Sequence, residues 1–187
     1  MNSLLAYINK FQPLDVETKN AVSVRFKREV FGKNDFLVEA GETCTKLYFI
    51  ERGLVRRFYD LEGEDHTVWF YHDDHWVTSL VSYLNRKPAT EFIQAADDTA
   101  VFSLTYTDEQ ALFQYPAFLR FHTTLLRHSL AAFDEFHFTF AQLSAQNKYL
   151  YLLEKFPLIV QRAKQKHIAS LLNVSQETLS RIRGVII

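Results

Sequence analysis

The sequence predicts an α+β protein that joins an antiparallel β-roll, or double-stranded β-helix, to a long helix and a small all-α unit. Three observations predict this class. Short β-branched and aromatic runs fill residues 30–104, an amphipathic stretch follows, and short helical segments close the chain. The expected boundaries are 1–116 for the N-terminal helices and roll, 117–143 for the long helix, and 144–187 for a helix-turn-helix unit.

The N-terminal part changes from helical to strand spacing. Residues 1–27 have helical spacing, with Pro13 ending a first helix and Asp15 placed to cap a second. From residue 30 onward, apolar runs of strand length are separated by turn residues, a pattern typical of an antiparallel roll. Those turns are Gly41-Glu42, Arg52-Gly53, Glu62-Gly63-Glu64 and Asp97-Asp98. Residues 77–85 fit either a short helix or a loop between strands.

The long amphipathic stretch predicts a dimerisation helix. A short helix over residues 108–115 should end before Pro116, and the long helix follows it. With His122 and Ser129 included, a row of mostly apolar residues from Leu119 to Leu143 follows alternating steps of three and four, the seam spacing of a two-stranded coiled coil. The expected seam of a homodimer is Leu119, Leu126, Phe133, Phe136, Phe140 and Leu143. The alternative is a single amphipathic helix packed on its own chain, and the length of the stretch favours a partner helix.

Composition and charge exclude several classes of protein. The only cysteine, Cys44, excludes an intrachain disulfide, a cysteine-rich zinc site and an iron–sulfur cluster. The N-terminus lacks the features of a signal peptide or a membrane span, so a cytoplasmic protein without membrane contact is expected. The net charge of −1 hides a split, because residues 144–187 carry seven cations against two anions, or +5, which leaves −6 for residues 1–143. This asymmetry favours phosphate binding by the C-terminal unit, with chance clustering as the alternative.

The segment from Gln165 to Arg183 has the pattern of a helix-turn-helix. Ala169 is small where two helices would cross, Asn173 tolerates a left-handed turn, and Ser175 can cap the second helix. Leu172, Val174, Leu179 and Ile182 are expected to face inward, and Gly184 to end the helix. The outward residues would be Gln176, Glu177, Ser180 and Arg181. Arginine can bind guanine and glutamate can accept from cytosine, whereas a surface ion pair is the alternative.

Two segments resemble signatures of the Crp/Fnr superfamily of bacterial transcription regulators. The run Glu39-Ala-Gly-Glu42 and the following Leu47-Tyr-Phe-Ile-Glu-Arg-Gly-Leu-Val55 are similar to the family's β-roll signature. The helix Ser175-Gln-Glu-Thr-Leu-Ser-Arg181 resembles its recognition helix. The resemblance implies a jelly-roll sensor domain of the cyclic-nucleotide-binding type and a homodimer that binds a palindromic operator in double-stranded DNA. It also implies RNA polymerase as a further partner and a small-molecule effector whose identity stays open.

The same resemblance assigns roles within the recognition helix. Glu177 and Arg181 fall on the family's base-reading positions, and Ser180 falls where the Fnr branch adds a base contact. Ser175 and Thr178 fall where the family often touches phosphate.

The half-site is expected to be closer to the Fnr type, because Gln176 stands where the catabolite activator branch carries arginine. Lys164 and Lys166, at the start of the preceding helix, are expected to contact phosphates. The sequence leaves no room for the β-hairpins that usually flank this motif, so a minimal unit is expected.

The sensing pocket departs from the cyclic-nucleotide pattern. Binders of this family place Gly-Glu before a short helix and Arg-Ser or Arg-Thr about ten residues later, for the ribose and the cyclic phosphate. The aligned positions here are Thr78-Ser79 and Ala89-Thr90, so no cAMP response is expected unless Arg86 or Lys87 substitutes. The residues expected to line a pocket are Trp76, Thr78, Ser79, Thr90 and Glu91. Ordinary loop and core roles are the alternative.

Enzyme and metal functions have weak support in the sequence. His72 and His75, with two aspartates between them, fit either a metal or haem site or a polar loop, and we expect neither a metal nor a cofactor. A cupin-type enzyme would need a His-x-His pair and a later histidine, but no histidine occurs between His75 and His122. Cys44 would act as a redox switch only as an exposed thiolate. A module that binds protein rather than DNA is the remaining rival.

Overall fold

The computed structural model describes residues 1–186, in which two antiparallel sheets face each other as a roll. The strands are β1 Lys27–Phe31, β2 Phe36–Val38, β3 Lys46–Arg52, β4 Leu54–Leu61, β5 Glu64–His72, β6 Trp76–Val77, β7 Phe92–Ala95 and β8 Thr99–Thr105. The first sheet has the order β1-β8-β3-β6 and the second has the order β2-β7-β4-β5. The antiparallel roll that the sequence predicts is therefore confirmed.

The helices lie before, within and after the roll. They are α1 Asn2–Phe11, α2 Val16–Arg25, α3 Leu80–Asn85, α4 Tyr106–Leu112, α5 Pro116–Ala141, α6 Ala145–Lys155, α7 Pro157–Arg162, α8 Gln165–Leu171 and α9 Gln176–Ile186. We call α6 to α9 the C-terminal helical unit. None of the helices within residues 1–186 combines the length and the apolar character that a membrane span requires.

Local hydrogen bonds explain most of the helix boundaries. The Asp15 carboxylate accepts from the Thr18 amide, which confirms the predicted cap of α2. The first residue of α4 is Tyr106 rather than the predicted 108, because the Thr105 hydroxyl caps the helix by accepting from the Asp108 amide. The prediction that Gly184 ends the last helix is wrong, since α9 continues to Ile186.

Gly53 permits the sharp passage from β3 to β4, and with it the crossing between the two sheets. Its φ is +141°, a value that other residues rarely adopt. A Cβ atom at this position would lie 2.7 Å from the Cα of Thr99 on β8. Its amide donates to the Asp73 carboxylate, and the next amide, of Leu54, donates to Asp97. The glycine therefore sets where β4 begins.

The N-terminal half of α5 packs on the roll. Its residues Phe118 and Phe121 are 2% and 1% exposed, and they join Leu4 and Ile8 of α1 and Phe49 of β3 in one apolar core. Burial of each such side chain contributes roughly 1.5–3 kcal/mol to stability. This core fixes the direction in which α5 leaves the roll.

The structure contradicts part of the predicted dimer seam. Phe140 is only 7% exposed because it packs in the core of its own chain, and Phe136 lies beside it with its ring 4.4 Å from that of Trp69. The reason is geometric: a straight helix drifts about 20° per heptad relative to a 3.5-residue repeat. Over three heptads the seam therefore rotates onto the face that rests on the roll.

The neighbouring face of α5 stays exposed and apolar. Leu119, Leu126, Leu130 and Phe133 are 43%, 51%, 70% and 66% exposed, and we call these four residues the outer stripe. At about 100° per residue they fall within one narrow arc of the helix. Leu130 is absent from the predicted seam because it lies one step outside the heptad pattern. Leu143 is half-buried and lies beyond the end of α5.

The C-terminal helical unit docks on the outer face of the second sheet. Trp69 of β5 contacts Phe136, Phe140 and Phe156 through its ring. The Ser170 hydroxyl of α8 accepts from the Thr67 amide and donates to the Asp65 carbonyl, both on the edge strand β5. These contacts satisfy backbone groups that an edge strand would otherwise expose.

An ion pair between Arg162 and Asp97 joins the C-terminal helical unit to the roll at the other end of this interface. The guanidinium of Arg162, at the end of α7, lies 2.6 Å from the Asp97 carboxylate, and both side chains are 29% exposed. Asp97 also accepts the Leu54 amide, so this carboxylate joins the start of β4 to α7.

Candidate nucleic-acid interface and effector pocket

The turn between α8 and α9 has the geometry of a helix-turn-helix. Asn173 has a φ of +56°, and the amide of Val174 donates to the carbonyl of Ala169. The Ser175 hydroxyl accepts from the Thr178 amide at 3.2 Å and so caps α9. Leu179 of α9 is fully buried against α8, where Ala169 is 2% exposed. The local positions that the sequence predicts are therefore confirmed for Ala169, Asn173, Val174, Ser175 and Leu179.

One face of α9 is presented to solvent. Gln176, Glu177, Ser180 and Arg181 are all exposed, whereas Thr178 is half-buried. The four exposed residues lie within about one and a half turns, so their side chains share one side of the helix. The docked C-terminal helical unit leaves this side uncovered by the roll.

The ionised groups on this face are free to reach a ligand. The Arg181 guanidinium donates to the Thr178 hydroxyl at 3.1 Å, and within residues 1–186 no ion pair joins it to Glu177. The Ser175 hydroxyl lowers the pKa of Glu177 below its usual range, with a smaller contribution from Arg181. The alternative of a surface ion pair between Glu177 and Arg181 is thus not formed in this structure.

The two lysines that precede or begin α8 are also exposed. Lys164 lies directly before the helix and Lys166 lies in its first turn. Lys164 reaches the side chain of Asn34 at 3.5 Å, at the edge of the contact with the roll. Among the described residues Lys166 makes no such contact, so of the two it is the better placed to meet a second molecule.

The roll brings three of the five predicted pocket residues together. The Glu91 carboxylate accepts from the Ser79 hydroxyl at 3.0 Å and from the Thr90 hydroxyl at 3.1 Å. It also forms an ion pair at 2.7 Å with Arg57 of β4, a partner that no sequence pattern indicates. Although burial favours the neutral acid, Arg57 and these hydroxyls hold the pKa of Glu91 below its usual range. The interior of the roll thus contains a carboxylate whose charge is already matched.

The other two predicted pocket residues lie elsewhere. Trp76 is half-buried among Tyr7, Phe26 and Phe49, so its assignment to the pocket is wrong. It begins the short strand β6, which pairs with β3 and directs the indole toward the N-terminal helices. The Thr78 hydroxyl donates to the Lys46 carbonyl, a structural contact between neighbouring strands.

The histidine pair and the cysteine have structural surroundings. The rings of His72 and His75 meet edge to face with centroids 4.2 Å apart, and the His75 Nδ1 lies 3.1 Å from the His72 carbonyl. Among the described residues, no group of three acidic, histidine or cysteine side chains is arranged to hold a metal ion. Cys44 is 3% exposed, so its thiol is not in the accessible position that a redox switch requires.

Comparison with known families gives a match for the part of the chain that forms the roll. Residues 28–115 match the family described as the cyclic nucleotide-binding domain. This segment covers the roll from the second residue of β1 onward, together with α4, so this part of the chain is similar to that domain. No curated protein sequence matched the chain.

Solved structures extend the likeness to nearly the whole chain. The catabolite activator protein of Thermus thermophilus is 24% identical, with a TM-score of 0.55, over 94% of this chain and 85% of that one. The c-di-GMP-responsive regulator CLP of Xanthomonas campestris is 16% identical, with a TM-score of 0.69, over 92% and 91%. FixK2 of Bradyrhizobium japonicum is 15% identical, with a TM-score of 0.68, over 86% and 84%. The chain therefore has the fold of the Crp/Fnr regulators, which the sequence resemblance predicts.

Proposed function

We propose that this protein is a sequence-specific, DNA-binding transcription regulator that acts as a homodimer and does not respond to cAMP. The observation that carries the proposal is the geometry of α9. Leu179 is fully buried against α8, while Glu177 and Arg181, four residues apart, are exposed on the opposite side of the same helix. A helix held in this way can enter the major groove of B-DNA with its polar face toward the bases.

Base recognition is assigned to two side chains. The exposed guanidinium of Arg181 can donate two hydrogen bonds to O6 and N7 of guanine. Glu177, whose pKa the Ser175 hydroxyl lowers further below neutral pH, can accept from N4 of a cytosine on the other strand. Ser180 and Gln176 lie on the same exposed face and are assigned to neighbouring base edges. Ser175 and Thr178, at the first turn of α9, are assigned to the phosphate backbone.

Dimerisation is assigned to the outer stripe of α5. Four large apolar side chains, each at least 43% exposed, form a continuous row along this helix. An exposed apolar row of this size marks a contact surface. In a two-fold symmetric dimer, the outer stripe of a second α5 would cover it. The two copies of α9 would then enter successive major grooves with half-site centres about 10–10.5 base pairs apart.

The charge of the C-terminal residues supplies the non-specific part of binding. Replacing Lys166 by alanine should weaken binding to all DNA sequences alike, because a phosphate contact carries no base information. The plot of log affinity against log salt concentration should become shallower by about 0.9 per lost contact, or about 1.8 for the two half-sites of a dimer. Fluorescence anisotropy titrations at several salt concentrations measure this slope.

Lys87→Ala is the matched control, since Lys87 is an exposed lysine on the roll, away from α8 and α9. An unchanged slope for Lys166→Ala would exclude Lys166 as a phosphate contact. A slope near zero for the wild-type protein would instead favour the rival, a module that binds protein.

Cyclic AMP should not bind the roll at micromolar concentration. The Arg57 guanidinium is paired with Glu91, and Ser79 and Ala89 stand where the family carries the glutamate and arginine that hold the ligand. Each missing hydrogen bond to a charged group removes about 1.5–3 kcal/mol of binding free energy. Isothermal calorimetry should therefore detect no saturable heat, and binding with a low-micromolar Kd would overturn this part of the proposal.

A further inference from the structure

We propose that Arg183, together with Gln165, binds a backbone phosphate of DNA in a groove between the start of α8 and the end of α9. The inference rests on the proposed function, because it requires α9 to meet DNA. It adds a positively charged contact at Arg183, a residue to which the family resemblance assigns no role.

The groove is shallow, polar and open to solvent. Its volume is about 320 Å³, and it is lined by Gln165 of α8 and by Ser180, Arg183 and Gly184 of α9. Pockets that hold small ligands begin at about 300 Å³, so a single phosphate group of a DNA strand fits here. A Cβ atom at Gly184 would meet nothing within 4 Å, so the space beside this residue is free.

The side chains that line the groove suit an oxyanion. Arginine, glutamine and serine all donate hydrogen bonds, and none of the described lining residues carries a carboxylate. Arg183 is half-buried, as expected of an arginine that packs its stem against the protein and keeps its charged end in water. Since arginine can donate two parallel hydrogen bonds to phosphate oxygens, Arg183 is the residue that would neutralise the phosphate.

The groove lies where DNA bound to α9 would pass. Ser180 belongs both to the groove and to the exposed face that the proposed function turns toward the bases. In a helix-turn-helix the first helix crosses the DNA backbone, and Gln165 is the first residue of that helix here. It stands between Lys164 and Lys166, which are already assigned to phosphates. The strand that these lysines contact would therefore continue across the groove to Arg183.

Replacing Arg183 by glutamine should weaken binding to the operator and to a mixed-sequence duplex alike, by about tenfold for the dimer. The plot of log affinity against log salt concentration should become shallower by about 1.8, because each half-site loses one phosphate contact. Anisotropy titrations at several salt concentrations measure both quantities. Arg52→Gln, which removes an exposed arginine of the roll, is the matched control and should leave the slope unchanged.

The two ways of failing are distinct. A wild-type protein that shows no salt-dependent DNA binding would refute the proposed function, and this inference with it. A wild-type protein that binds DNA, together with an Arg183→Gln variant of unchanged slope, would refute the assignment of Arg183 alone.

Two lysine variants keep the test decisive if loss of Arg183 disturbs α9. Arg183→Lys retains the charge without the planar pair of donors, so it should keep the wild-type slope with a lower affinity. Gln165→Lys adds a cation to the groove and should steepen the slope. Gln110→Lys adds the same charge at an exposed position of α4 and should not. Equal slopes for the two glutamine variants would contradict the site.

Neutral methylphosphonate groups in the operator locate the contact itself. Each group replaces one backbone phosphate in both half-sites and removes its charge. At one position the replacement should weaken binding of the wild type but not of Arg183→Gln, because that variant has already lost the contact. If every position that weakens the wild type weakens Arg183→Gln by the same factor, Arg183 contacts no phosphate and the inference is wrong.

Discussion

Replacing Arg181 by alanine should lower the affinity of the protein for its operator by at least about 30-fold. A bidentate contact between arginine and guanine contributes about 1–3 kcal/mol of discrimination, and a symmetric dimer makes the contact twice. The total of about 2–6 kcal/mol corresponds to a loss between about 30-fold and 10⁴-fold. Because Arg181 is exposed and, within residues 1–186, its side chain donates to Thr178 alone, thermal unfolding should be unaffected.

The measurement is an anisotropy titration at fixed salt on operator DNA and on a duplex with the guanine changed. Arg181→Ala should bind both duplexes equally, since it has lost the group that distinguishes them. Arg52→Ala is the matched control, because Arg52 is an exposed arginine on the roll and its removal changes the net charge equally. If Arg181→Ala keeps an affinity within twofold of the wild type, the assignment of α9 as the reading helix fails.

Aspartates in the outer stripe should convert the protein into monomers. Leu126→Asp combined with Phe133→Asp places two charges per chain in the proposed interface, so four face one another in the dimer. Both side chains are more than half exposed in the single chain, so the fold itself should tolerate the change. Burial contributes roughly 1.5–3 kcal/mol per large apolar side chain, and the variant dimer would lose this contribution. Desolvation of the new carboxylates would destabilise the dimer further.

Sedimentation velocity at micromolar concentration separates the two states. Phe138→Asp is the matched control, because Phe138 is 70% exposed on the same helix but lies well outside the arc of the outer stripe. The control should stay dimeric. A wild-type protein that sediments as a monomer, or a double variant that stays dimeric, would exclude the outer stripe as the interface.

The sequence predicts the roll and the helix-turn-helix because local chemistry determines both. Ser175 and Asn173 are a cap and a left-handed turn wherever they stand between two such helices, and Leu179 follows from helical periodicity. The sequence does not predict the strands β1 and β6, because they lack such local signals. β1 has mostly exposed or half-exposed side chains and β6 has two residues, so neither presents a periodic apolar pattern.

The second half of the predicted dimer seam was misassigned, and its first half stays a prediction. A heptad pattern can be read from sequence, but whether a helix supercoils to keep it or stays straight depends on what lies beside it. Trp69 is 67 residues before Phe136 in the chain, and its ring is the surface on which Phe136 and Phe140 pack. No pattern within α5 indicates that contact.

The polar interior of the roll could also be predicted only in part from the sequence. Glu91 and Ser79 could be placed near a pocket because the resemblance aligns them with one. Arg57 could not, because its neighbour Arg56 has the same side chain and the alternation of a strand sends the two to opposite faces of the second sheet. The bulge after Arg57 further obscures which arginine points inward.

The central claim is that two copies of α9 read a two-fold symmetric DNA site, and selection from random duplexes tests it most directly. The wild-type protein should enrich one palindrome whose half-site centres are about 10–10.5 base pairs apart. Arg181→Ala, selected in parallel, should lose the guanine preference within each half-site. Each selection should be run with and without cell extract, so that a missing effector cannot hide binding. A wild-type protein that enriches no symmetric site under either condition would contradict the account.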